Sequence, residues 1–169
     1  MEKQLPLYKN NLKIYIVPIG GIYVTKDPMV LQTVLGSCVS VTLFDKKLKF
    51  GGMNHIVLPG SFIGMEVEKM IKEKDSRYGI FSLEKLIYEM LNFGSQKKDM
   101  EAKIFGASFM GRKKQILDIQ TSNVEFVKSF LDMAKIKIVE ELTLQNEALK
   151  IFFNTQTGIV EVERLNSGI

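Results

Sequence analysis

The chain has 169 residues, 46% of them hydrophobic and 25% charged, which suits one folded domain spanning 1–169 and excludes a disordered chain. Its net charge of +4 is mild, and the densest basic groups are Lys46-Lys47, Lys97-Lys98 and Arg112-Lys113-Lys114, so they read as solvated surface and not as a nucleic-acid face. A single Cys and a single His exclude a disulfide scaffold and imidazole-rich metal centres; with no signal-like start and no apolar run of the ~20 residues a membrane helix needs, the expectation is a cytoplasmic protein without direct membrane insertion.

In chain order, Leu12 to Val17 alternates around Ile14 and Ile16, and Ile22 to Thr25 follows Pro18 and Gly20-Gly21, which predicts two short strands. After the Lys26-Asp27-Pro28 turn, Met29 to Leu35 leads into the small-residue step Gly36-Ser37-Cys38 and then into the strand-like stretch Val39 to Phe44. Leu48 to Leu58 reads as the returning strand of a hairpin, broken by Gly51-Gly52 as at a bulge and closed by Pro59-Gly60. Ser61 to Tyr78 has poor periodicity and is expected to be a loop more mobile than the sheet.

Leu83, Leu86, Ile87, Met90 and Leu91 form the stripe of an amphipathic helix with Gly94 as its C′ residue. Ala102 to Phe105 is a short strand, Gly106 to Gly111 a turn of small residues, and Asn123 the N-cap of a second helix carrying Val124, Phe126, Val127, Phe130, Leu131 and Ala134. Strands at Ile136 to Leu144, Lys150 to Phe153 and Ile159 to Leu165 close the chain, the last two as a hairpin. Strands at both ends around two central helices predict an α+β layered sheet domain flanked by helices, without the rhythm of a βαβ repeat.

Cys38, preceded by Gly36 and Ser37 where a strand begins, leaves room for a carbonyl to approach the backbone closely. A thiol needs a neighbouring base to act as a nucleophile, and His55 is the only imidazole, on the strand that returns antiparallel. On spacing alone a Cys-His dyad stands beside the plainer reading of a buried cysteine and a hydrogen-bonded core histidine. No glycine pattern for cradling phosphate is present.

Several segments together carry a family resemblance. Thr33-Val34-Leu35-Gly36-Ser37-Cys38-Val39-Ser40-Val41, Gly51-Gly52-Met53-Asn54-His55 with Leu58-Pro59, Arg77-Tyr78-Gly79, Glu101 to Ala107, Asn123-Val124 and Phe153-Asn154 with Thr157-Gly158 resemble CheD, the chemoreceptor glutamine deamidases of bacterial chemotaxis. The resemblance implies an amidohydrolase that converts receptor glutamines to glutamate through a cysteine thioester, with no metal or organic cofactor. Carried over position by position, it makes Cys38 the nucleophile, His55 the base and Thr33 the third member that orients the imidazole; in the cycle this implies, backbone groups around Cys38, at Ser37 and Gly36, would support the oxyanions.

It further implies a fold shared with the deamidating domain of cytotoxic necrotizing factor, methyl-accepting chemoreceptors as protein substrates and the CheC phosphatase as partner; that no nucleic acid is bound is expected from the lack of a clustered basic face. Some family members place the threonine one residue farther from the cysteine, where this chain has Gln32; Glu141 to Leu149 and Leu117 to Asn123 also depart from the usual pattern, which bears on recognition more than on chemistry. The alternative reading is a non-catalytic chemotaxis regulator that binds receptors and CheC.

Overall fold

The computed structural model describes residues 7–56, 79–111 and 119–166. The expected Ser61 to Tyr78 loop, the Pro59-Gly60 close of the hairpin and the basic group at Arg112 to Lys114 lie outside these described residues. The elements are β1 (Tyr8–Lys9), β2 (Leu12–Ile16), β3 (Ile22–Thr25), β4 (Met29–Leu35), β5 (Val39–Asp45), β6 (Phe50–Asn54), α1 (Gly79–Asn92), β7 (Met100–Gly106), α2 (Ile119–Met133), β8 (Lys137–Thr143), β9 (Ala148–Asn154) and β10 (Val160–Leu165). Among the described residues the strands form two five-stranded sheets, ordered β1-β2-β4-β9-β10 and β3-β6-β5-β7-β8.

Side-chain alternation explains the layering. Leu31, Leu35, Ile151 and Phe153 of the first sheet pack against Phe44, Met53 and Phe105 of the second. The other face of the second sheet, with Val41, Leu43 and Ile104, is covered by Leu83, Leu86 and Met90 of α1 and by Val124, Val127 and Leu131 of α2. β5 is therefore covered on both faces and buried along its whole length, which is why Val39 to Phe44 reads as a near-continuous apolar and β-branched run. Each such side chain contributes about 1.5–3 kcal/mol when fully buried. The result is an α+β arrangement of sheet, sheet and helices.

Two expectations are corrected. Gly51-Gly52 does not break its strand: β6 keeps an unbroken antiparallel register with β5, Leu43 facing Gly52 and Phe44 facing Gly51. Glycine is required there by close approach, since a Cβ at Gly51 would lie 2.4 Å from the Leu43 carbonyl oxygen and one at Gly52 2.4 Å from Val24 Cγ2. Asn123 is not an N-cap; α2 begins at Ile119, and Asn123 sits inside it, buried, one helical turn before Val127 on the core-facing side. β7 and β8 pair parallel with α2 between them, a single βαβ unit and not a repeat.

The end of α1 matches its sequence signal. Gly94 has φ +95, its N–H donates to the Leu91 carbonyl, and the Ser95 N–H donates to the Met90 carbonyl, closing the helix as a Schellman motif. β2 also pairs parallel with β4, while β3 between them belongs to the other sheet. The chain thus passes from sheet to sheet at its punctuating residues, and one such passage, Gly36-Ser37-Cys38, joins β4 to β5.

Candidate active site

Thr33, Gly36, Ser37 and Cys38 lie on or just after β4, and His55 directly follows β6, so the candidate residues come from both sheets. On β4 the odd-numbered residues Leu31 and Leu35 face the second sheet, and Thr33 between them shares that face. On the second sheet Val39 pairs with Ile56 and Thr42 with Met53, a single register that sets Ser40 opposite His55. By the alternation of side chains, Cys38 and His55 then project from the same face as diagonal neighbours. Cys38, half-buried, packs at the edge of the cluster between the sheets.

His55 is 2% exposed and is held at three points. Its N–H donates to the Gly21 carbonyl at 3.0 Å, and its own carbonyl accepts from the Gly20 N–H at 2.9 Å. Its Nδ1 lies 2.7 Å from the Thr33 hydroxyl oxygen, which in turn is 3.0 Å from the Val17 carbonyl oxygen. The hydroxyl has one proton and the carbonyl can only accept, so the proton goes to Val17 and Nδ1 must donate to Thr33. This fixes the neutral imidazole with hydrogen on Nδ1 and the lone pair on Nε2. His55 Nε2 is buried and, among the described residues, has no hydrogen-bond partner.

The loop that carries Cys38 is fixed from its other side. The Ala107 N–H donates to the Cys38 carbonyl at 2.7 Å and the Ser108 N–H to the Gly36 carbonyl at 2.9 Å. Gly106, at φ +103, permits this contact, because a Cβ there would lie 2.2 Å from the Cys38 carbonyl oxygen. A trans peptide points its C=O and N–H in opposite directions. Anchoring Gly36 to Ser108 therefore turns the Ser37 N–H away from the 106–108 segment, and anchoring Cys38 to Ala107 turns the Val39 N–H toward its partner, the Ile56 carbonyl. In the sequence Gly106, Ala107 and Ser108 show only as a turn of small residues at the end of a strand.

Burial dominates the electrostatics. It pushes the Cys38 thiol above its ordinary pKa and lowers His55 below the usual imidazole value. Burial thus favours the neutral thiol of Cys38 and the neutral imidazole of His55. Among the described residues no group of three or more His, Cys, Asp or Glu side chains gathers to hold a metal. No helix among them is long and apolar enough to cross a membrane.

Comparison with known proteins gives consistent matches. The family described as "CheD chemotactic sensory transduction" matches residues 57–164. A protein of Shewanella oneidensis named "Probable chemoreceptor glutamine deamidase CheD 1" is 36% identical over 154 residues, covering 91% of this chain and 73% of that protein. "Probable chemoreceptor glutamine deamidase CheD" of Paraburkholderia xenovorans is 37% identical over 173 residues, covering 98% of this chain and 68% of its own length. One of the same name from Xanthomonas euvesicatoria is 37% identical over 142 residues, 84% of this chain and 68% of the relative. The chain belongs to the CheD family.

Proposed function

We propose that this protein is a chemoreceptor glutamine deamidase that hydrolyses selected glutamine side chains of methyl-accepting chemoreceptors to glutamate and ammonia. The single observation that carries the chemistry is the Thr33–His55 hydrogen bond, which leaves the Nε2 lone pair on the face His55 shares with Cys38. His55 takes the Cys38 proton as the sulfur attacks the glutamine amide carbon. The resulting tetrahedral oxyanion is stabilised by loop N–H groups, of which the Ser37 N–H is the best supported by its orientation. His55 then returns the proton to the departing ammonia, leaving a thioester. Water deprotonated by His55 hydrolyses the thioester and regenerates the thiol.

The same reading places the protein in the cytoplasm, groups its two-sheet architecture with the CheD and cytotoxic necrotizing factor deamidases, and makes the CheC phosphatase a partner. Thr33 acts only through orientation, since its hydroxyl brings no negative charge to the imidazole.

The test is mass spectrometry of folded cytoplasmic fragments of the cognate receptors after incubation with wild type and with Cys38→Ala. Each deamidation adds about one mass unit, and wild type alone is expected to produce it. Absence of conversion by wild type would favour the non-catalytic regulator, to be followed by pull-down of receptor and CheC.

A further inference from the structure

One rung of the β5–β6 ladder is made by a side chain. Val39 and Ile56 exchange both main-chain hydrogen bonds, at 3.1 and 2.7 Å, so regular antiparallel pairing would make Val41 and Asn54, two residues along, another doubly bonded pair. The Val41 N–H donates instead to the Asn54 side-chain oxygen Oδ1 at 2.8 Å. The Asn54 main-chain oxygen accepts from the Ser40 hydroxyl at 2.6 Å, and Asn54 Nδ2 donates to Ser82 Oγ of α1 at 2.9 Å. Asn54 is 0% exposed, and all of these partners are buried with it.

We propose that Asn54 is a positioning residue for His55. Its side-chain oxygen replaces the main chain as acceptor for the Val41 N–H on one rung. The chain stays doubly hydrogen-bonded to β5 at Val39 and Ile56, while the intervening His55 turns its own N–H and C=O to Gly21 and Gly20 on the other side. Asn54 is thus pinned through Oδ1, Nδ2 and its main-chain oxygen directly before His55, which fixes the backbone from which the imidazole meets Thr33 on the facing sheet. The bond from Nδ2 to Ser82 ties the arrangement to α1, so the helix layer bears on the ring's position although it lies on the other side of the sheet. Asn54 touches no reacting atom; it acts through the orientation of its neighbour. The proposal rests on reading His55 as the base, but its first readout needs no activity.

Because His55 is the only histidine, ring-labelled protein gives one pair of imidazole nitrogen resonances. Wild type is expected to show a protonated Nδ1 and an unprotonated Nε2. In folded Asn54→Ala the two resonances are expected to move toward the tautomer mixture of free imidazole, with kcat down about tenfold or more and KM within about twofold of wild type. A folded Asn54→Ala with wild-type ring resonances overturns the proposal. If that variant does not fold, Ser40→Ala and Ser82→Ala carry the test: each is expected to shift the ring resonances in the same direction, and no shift in either overturns it. A wild type with the expected ring tautomer and no deamidase activity would sink the functional reading and leave the positioning role standing.

Discussion

The Thr33 hydroxyl oxygen on β4 and Nδ1 of His55, the residue after β6 of the other sheet, meet at 2.7 Å. Thr33→Val keeps the shape and removes the acceptor, leaving a buried Nδ1–H unpaired at a cost of about 1–3 kcal/mol. Activity is expected to fall about tenfold to a hundredfold, chiefly in kcat, as the ring loses its tautomer and orientation. Thr33→Ser should restore most of it. Steady-state deamidation kinetics on the two variants check this, and full activity in Thr33→Val would remove Thr33 from the mechanism.

The neutral thiol and neutral imidazole dictate a pH profile. Since burial lowers His55, kcat/KM should stay level below the ordinary histidine value of about 6.5 before it falls with acid. Since burial raises Cys38, its alkylation by iodoacetamide should still be climbing above the ordinary thiol range. An alkylation rate that plateaus near neutrality would reveal a preformed thiolate, contrary to this reading.

Stability follows from the same two shifts. His55 binds its proton more weakly folded than unfolded, so as pH drops below about 6.5 the unfolded chain protonates first and stability is lost down to the folded value. Cys38 acts in the opposite sense, its contribution being lost as pH rises from the ordinary thiol value toward the folded one. Urea midpoints for wild type and His55→Gln should therefore differ by an amount that changes on the acid side. A pH-independent difference there would contradict the assignment.

Gly106→Ala places a methyl group 2.2 Å from the Cys38 carbonyl oxygen, against backbone that cannot rotate away. The loop must shift, with an expected loss of about 1–3 kcal/mol in strain and a larger proportional loss of activity. Gly111→Ala is the control: its φ of +76 carries the backbone penalty, but nothing lies within 4 Å of the new Cβ. Denaturation and deamidation measured on both separate the two effects, and equal activity losses would refute a specific role for the Gly106 contact.

Gly51→Ala tests the packing of the sheets. Its Cβ would meet the Leu43 carbonyl oxygen at 2.4 Å and Phe153 Cζ at 2.6 Å, so both the ladder and the inter-sheet core must yield. Overpacking of this kind costs about 1–3 kcal/mol or more. Shrinking Phe153 to Leu should recover only part of the loss, because the Leu43 contact is with backbone. Complete recovery in the double variant would show that the ring alone demands glycine.

Most strands were legible because their alternation survives in the sequence, as in Leu12 to Val17 and Ile159 to Leu165, and α1 was legible from its Leu83 to Leu91 stripe and Gly94. The division into two sheets was not, because β2, β3 and β4 look alike locally and only long-range pairing sends β3 to a different sheet. Asn123 misled because its strong capping propensity was overridden by burial beside Val127. Cys38 and His55 stood out as the only residues of their kinds, and the family motif added Thr33. Asn54 and the Gly106 to Ser108 contact work through main-chain geometry, which leaves little trace in residue chemistry.

β4, which carries Thr33 and leads into Cys38, has β9 as one of its neighbours, Leu31 pairing with Phe153. During synthesis the first third of the chain must therefore wait for the residues beyond Ala148 before its sheet can close. Until then β4 exposes the edge that β9 later pairs with, a state open to wrong pairing. Pairings so distant along the chain also slow folding. Cys38 is thus translated early and set in place late, so a polypeptide arrested before its closing hairpin carries every candidate catalytic side chain without the architecture that aligns them.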